Sequence, residues 1–231
     1  MSVEDGTFVL PEGRAINAHL FTRHAFSDPA RGITDDKPKY SVEMVFPKPE
    51  SGSEDILMPF EDFLWDVMVA SRGEEEVKQY NAEKWIAWPI KDGDKKTARR
   101  AAAGKNGDAY AGMSIVSASN MYNRFGQPAD GGIPVYDENA EAIHVEAGAN
   151  AMSLAAAAAK VWPGMMGIAA VKAKVYMGTG DSGDPKLTCA LYLEAFQKTG
   201  DGERLVAEAD HSNLFQAVRQ GGGARRERPS R

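Results

Sequence analysis

The chain has a single cysteine, Cys189, in 231 residues. No internal disulfide can form, and no thiolate zinc site can be assembled within one chain. Cys189 lies in an apolar stretch and reads as a small buried hydrophobe rather than a nucleophile. Long apolar runs are missing as well. Nothing approaches the roughly 18 consecutive apolar residues of a membrane span. The N-terminus MSVEDGTFVLPEGR also lacks the basic-then-apolar order of a signal peptide. The expectation is a cytoplasmic protein with no membrane partner. His19, His24, His144 and His211 show no metal-ligand spacing. There is no nucleophile elbow, and TGDSGD lacks the lysine of a phosphate loop. These absences argue against an enzyme, and no metal or cofactor is expected.

What is present is a chain with 43% apolar residues, enough for a real core, and a formal net charge of −6. The sum matters less than the distribution, because charges further apart than about 8 Å are largely screened at physiological salt. Acid is concentrated between 50 and 83. Base gathers in KDGDKKTARRAAAGK, with Lys91, Lys95, Lys96, Arg99, Arg100 and Lys105, and again in the terminal RQGGGARRERPSR. A protein polarised in this way can hold an anionic polymer on one side despite an acidic balance.

Period-2 alternation dominates the patterning. GRAINAHLF puts Ile16, Ala18 and Leu20 on one face, and KYSVEMVF puts Tyr40, Val42, Met44 and Phe46 on one face with Lys39, Ser41 and Glu43 opposite. In IAAVKAKVYM the odd positions from Ala169 to Met177 are apolar while Lys172, Lys174 and Tyr176 point outward. LTCALYLEAFQK repeats this, with Leu187, Cys189, Leu191, Leu193 and Ala195 inward and Tyr192, Glu194, Phe196 and Lys198 outward. The glycine, aspartate and proline between the two predict an antiparallel hairpin. In YAGMSIVSASNMYNRFGQP the alternation predicts Met113, Ile115 and Met121 inward and Tyr110, Tyr122 and Arg124 outward.

One convincing helix is expected over about 55–72, where Ile56, Phe60, Phe63, Leu64, Val67 and Met68 follow a 3.6-residue period. A short helix is expected in the alanine run before Trp162. Residues 91–109 read as a basic loop, 199–218 as a turn and a short helix, and 219–231 as a flexible basic tail. The result is a strand-dominated domain over 1–218.

Aromatic and basic side chains sharing outward strand faces suit single-stranded nucleic acid, since bases stack on rings while lysine and arginine neutralise phosphates. Tyrosine is also a good strand former on any pleated surface, so subunit contacts would use the same pattern. Trp85 and Trp88, at the edge of the basic segment, could stack bases or belong to the core.

The succession GRAINAHLF, KPKYSVEMVFPK, WPIKDGD, YAGMSIVSAS, PVYDENAEAI, VWPGMMGIAAVKAKVYM and LEAFQKTGDGERL resembles the phage and prophage single-stranded DNA-binding proteins of the T7-like helix-destabilising type, up to about residue 205. That resemblance implies an OB fold, a five-stranded Greek-key barrel with one or two inserted helices. It also implies a protein that coats single-stranded DNA in phage replication or recombination in the host cytoplasm, with replication or recombination proteins as partners and a homodimer compatible. On matching positions it points to Lys39, Lys91, Tyr110, Lys172, Lys174 and Tyr176, and to Tyr40, whose parity places it with the apolar face. The family's better-known members end in an acidic tail, whereas this tail is basic. The rival expectation is a phage structural or assembly protein whose β-domain makes subunit contacts.

Overall fold

The computed structural model describes residues 6–25, 27–28, 33–34, 37–146, 148–179, 184–203 and 205. The expected helix after residue 205 and the basic tail lie outside them. Five long strands form a closed ring. They are β2 (Gly13–His24), β5 (Lys39–Pro47), β8 (Met113–Asn120), β10 (Met166–Thr179) and β11 (Pro185–Gly200). β2 pairs with β5, β5 with β8, β8 with β11, β11 with β10, and β10 returns to β2. Taken in chain order the ring reads first, second, third, fifth, fourth, first, with the third and fifth strands parallel. This is the Greek-key barrel of an OB-like fold.

Two of these seams are thin. β10 meets β2 only at Met166↔Arg14 and Gly167↔Gly13, and β8 meets β11 only at Ser119↔Tyr192. Closure therefore depends mainly on the apolar interior. Tyr40, Val42, Met44 and Phe46 of β5 meet Val116 and Ala118 of β8, Ala169 and Val171 of β10, and Cys189, Leu191 and Leu193 of β11.

Four short strands extend the sheet: β1 (Thr7–Val9) on β10, β6 (Ile86–Ala87) and β9 (Val135–Tyr136) on β11, and β7 (Ile90–Asp92) on β8. A separate ribbon, β3 (Ser27–Asp28) with β4 (Ile33–Thr34), interrupts the β2–β5 connection.

Between β5 and β8 the chain inserts α1 (Met58–Arg72), α2 (Glu74–Ala82) and α3 (Gly93–Ala102). The helical period expected over 55–72 is met by α1, which buries Phe60, Leu64 and Met68 and carries Pro59 in its first turn, where the missing amide costs little. Phe60 and Phe63 rest on Phe8 of β1, with ring centroids 5.1 and 5.0 Å apart. The alanine run forms α4 (Ala151–Ala158), whose first turn is capped by the Asn150 side chain accepting from Ser153 N at 2.9 Å. Among the described residues no helix is long and apolar enough to cross a membrane.

Simple alternation fails at three points. In β2 the register slips between Ala15 and Asn17, so Ala15 enters the barrel while Ile16 faces the other way. In β8 the expected parity is inverted. Val116 and Ala118 face the barrel interior, and Ile115 faces outward into a second small core with Ile16, Val45 and Tyr110. That end of the sheet is apolar on both sides because the turn around Tyr110 covers it. In β11, Ala195 pairs with Ala170 and Leu193 with Val171, which leaves Glu194 as an extra residue. The bulge reverses the parity of the residues that follow it as far as Lys198, where a second register shift leaves Thr199 as an extra residue.

Candidate functional site

Residues 91–109, expected as a loop, contain β7, α3 and a 3-10 turn at Asp108–Tyr110. Their order has a local cause. Asp92 caps α3 by accepting from Asp94 N at 2.9 Å. Lys48 spans Asp92 at 2.7 Å and Asp94 at 2.5 Å, and Gly112 N donates to Asp94 Oδ1 at 2.7 Å. Lys48 lowers the pKa of Asp92, and the Gly112 amide together with Lys48 lowers that of Asp94. At the far end Thr97 Oγ1 donates to Gly107 O, and Arg100 Nε donates to Asn106 O. Gly93 is the point of closest approach, because a Cβ there would overlap the carbonyl oxygens of Tyr110 and Met113.

Seated in this way, α3 forms one wall of an open groove of about 640 Å³ over the outer face of β5 and β8. Glu43, Ile115 and Ser117 contribute the floor, Lys95, Lys96 and Arg99 of α3 the wall, and Ile90, Lys91 and Asp92 of β7 complete the lining. Positions 95, 96 and 99 fall within one turn of the helix, which explains why they share a side.

Glu43 anchors the floor. It takes Lys96 Nζ at 2.5 Å, the Tyr110 hydroxyl at 2.7 Å, Asn17 Nδ2 at 3.2 Å and Ser117 Oγ at 3.5 Å. Lys96 also lies 4.2 Å from the centroid of the Tyr110 ring. Loss of water lowers the Lys96 pKa, an effect opposed by Glu43 and reinforced by Arg100 and Arg99. Burial first, and then the Glu43 carboxylate, hold the Tyr110 phenol well above its ordinary value, so it acts as a neutral donor. Lys96 is thus occupied internally. The side chains of Lys91, Lys95 and Arg99 are exposed and make no ion pair or hydrogen bond among the described residues.

A second basic and aromatic stripe lies on the outer face of the β10–β11 hairpin. Lys172 pairs with Tyr192, Lys174 with Ala190 and Tyr176 with Thr188, so Lys172, Lys174, Tyr176 and Tyr192 share one side. Tyr176 is 44% and Tyr192 40% exposed. Tyr192 also pairs with Ser119, which lies two residues from Ser117 on the same face of β8. The groove floor and the hairpin stripe are therefore adjoining parts of one outer sheet surface. Alternation marks Tyr192 as outward, but only its register with Ser119 makes it the bridge.

Several expected site residues lie elsewhere. Tyr110 is only 4% exposed and props Lys96 and Glu43 from beneath, so its ring cannot stack a base. Phe196 is 1% exposed and belongs to the barrel core, turned inward by the bulge at Glu194. Lys198 is 8% exposed and is held by Glu138 at 2.7 Å and Asp201 at 2.6 Å, over the Trp162 ring. None of the three can meet a strand lying on the outer face. Tyr40 is fully buried and contacts the 129–132 loop through its hydroxyl.

Tyr122 and Arg124 follow β8 in a loop rather than a strand. Tyr122 is exposed, while Arg124 is hydrogen-bonded to His144 and stacked 4.7 Å over Phe125. Lys39 alternates with Ser41 and Glu43, which places it on the groove face of β5 about 13 Å along the strand from Glu43. Arg100 turns toward the 106 loop and lies 5.7 Å from the Tyr110 ring. Among the described residues no group of His, Cys, Asp and Glu could hold a metal ion. Cys189 is buried, and burial pushes its thiol up to about 11.

No family model matches the chain, and no curated protein matches it in sequence. Solved structures do. The single-stranded DNA-binding protein from bacteriophage Enc34 superposes with a TM-score of 0.51 at 16% identity, covering 91% of this chain and 90% of that one. The same phage protein in complex with single-stranded DNA gives 0.52 at 17% identity, covering 88% and 91%. A single-stranded DNA-binding protein encoded by bacteriophage T7 gives 0.49 at 13% identity, covering 90% and 93%. At these identities the likeness to the Enc34 protein is one of fold, and it extends over nearly the whole chain.

Proposed function

We propose that this protein binds single-stranded DNA on the outer face of β5 and β8, as a non-catalytic coating protein in phage DNA replication or recombination. The observation that carries the reading is the groove lining of Lys91, Lys95 and Arg99. These are three exposed cations without carboxylate partners, set over the barrel face that OB folds use for oligonucleotides. Phosphates run along α3 and neutralise these side chains. Bases lie toward the sheet, where the surface continues through Ser119 and Tyr192 to Lys172, Lys174 and Tyr176. Stacking on Tyr192 and Tyr176 is tolerant of sequence, because every base has a π-face. One of the proteins sharing this fold has been solved with single-stranded DNA bound, which supports the choice of ligand.

Binding lowers duplex stability by mass action, since only the unpaired strand exposes bases to the tyrosines. One barrel covers roughly 4 to 16 nucleotides. Titration with oligo-dT at several salt concentrations tests the reading. Five neutralised phosphates give a slope of log affinity against log salt near −3.5, from about −0.7 for each. Absence of binding at low salt, or equal affinity for duplex, would overturn it in favour of an assembly role.

A further inference from the structure

Beside the groove lies a separate pocket of about 340 Å³ lined by Glu61 of α1, Trp88 and Ile90. Ile90 also lines the groove, so the two spaces share a wall. Trp88 sits between β6 and β7, half-buried, and packs against the core while also facing this pocket. The Glu61 carboxylate makes no hydrogen bond or ion pair among the described residues. Partial burial, together with the negative charge of Asp55 and Asp62, raises its pKa. An unpaired carboxylate with two acidic neighbours repels phosphate, so a backbone following the cations of α3 does not turn into this space. A neutral, flat group with N–H donors can.

We propose that the pocket takes one nucleobase bearing an exocyclic amino group, which stacks on Trp88 and donates a hydrogen bond to the Glu61 carboxylate. The proposal rests on the strand-binding reading above and adds base preference at one position of a strand otherwise held through its backbone. The discrimination follows from donor and acceptor chemistry. A carboxylate can only accept. Cytosine offers it an N4 amino group, a pairing that glutamate and aspartate use elsewhere in base recognition. Thymine presents the O4 acceptor in the same place, and its one donor, N3–H, lies between two carbonyl oxygens. Adenine and guanine carry amino groups, so thymine is the base disfavoured.

Oligo-dC and oligo-dT of equal length, titrated at one salt concentration against the full chain, test this directly. Oligo-dC binds about tenfold more tightly, the order expected of one hydrogen bond to a charged group. Glu61→Gln brings the two affinities together, because an amide can either accept from N4 or donate to O4. Oligo-dC also quenches indole emission less in Trp88→Phe than in the wild type. Equal affinity for the two oligomers, with salt-dependent binding intact, overturns the base pocket and leaves the groove standing. A preference that survives Glu61→Gln, or quenching unchanged in Trp88→Phe, removes the assignment to those residues. Failure of every oligonucleotide to bind at low salt overturns both readings.

Discussion

Replacing Lys91, Lys95 and Arg99 together by glutamine tests the groove through a quantity that contact geometry sets in advance. Each side chain is exposed and lacks an ion pair among the described residues. Each substitution should therefore shift stability by no more than about 0.5 kcal/mol, as for surface sites without special contacts. If each cation neutralises one phosphate, the slope of log affinity against log salt becomes shallower by about 2, from about 0.7 per contact. Between 50 and 200 mM salt one such contact is worth about 2.6-fold. The gap between wild type and triple variant should therefore narrow about twentyfold across that range. Fluorescence anisotropy of a labelled oligo-dT measures this. Lys78→Gln is the control, because Lys78 is tied to Glu74 and Glu75 on α2 and faces no part of the groove. A slope unchanged in the triple variant would refute the placement of the phosphates along α3, even if affinity fell.

Two further outcomes follow from the packing. Phe196→Ala should cost about 3 to 5 kcal/mol in urea unfolding, the value of emptying a buried aromatic site, whereas a base-stacking role would leave stability intact and weaken DNA binding. His19 is stacked on His24 at 4.5 Å, and burial followed by the His24 charge lowers its pKa below 6.5. The unfolded chain then binds the proton more readily than the folded one, so stability is complete above about pH 6.5 and falls as pH drops through the lowered value. Denaturation midpoints at pH 7.5 and 5.5 should differ less in His19→Gln than in the wild type, and an equal pH dependence would contradict the assignment.

The residues that were legible from sequence are those whose surroundings repeat along the strand. Lys172, Lys174, Tyr176 and Tyr192 lie outward, Cys189, Leu191 and Leu193 inward, and Leu187 packs with Met68, Val77 and Ile86, because regular pairing keeps the two-residue period intact over that part of the hairpin. The same holds for Tyr40, Val42, Met44 and Phe46 in β5. Phe196 and Lys198 broke the pattern because one unpaired residue, Glu194, reverses the parity, and nothing in LYLEAFQK marks where a bulge falls. Ile115 misled for a different reason. An apolar residue signals burial but not the side of the sheet on which burial occurs, and β8 is covered on both. The helix α3 did carry a signal, an aspartate cap followed by good helix formers, but its dense charge resembles a solvated loop.

Local chemistry in the chain was enough to determine which strands alternate, where α1 and α4 form, and which segment is basic, since each depends on neighbours within a few residues. Tertiary structure alone decided that β8 meets β11 and β10 returns to β2, that Glu43 holds Lys96 and Tyr110, and that Lys91, Lys95 and Arg99 overhang the β5–β8 face. These contacts join residues far apart in the chain. Their energy comes from closing a shared interior, and no local pattern encodes which distant surfaces that closure brings together.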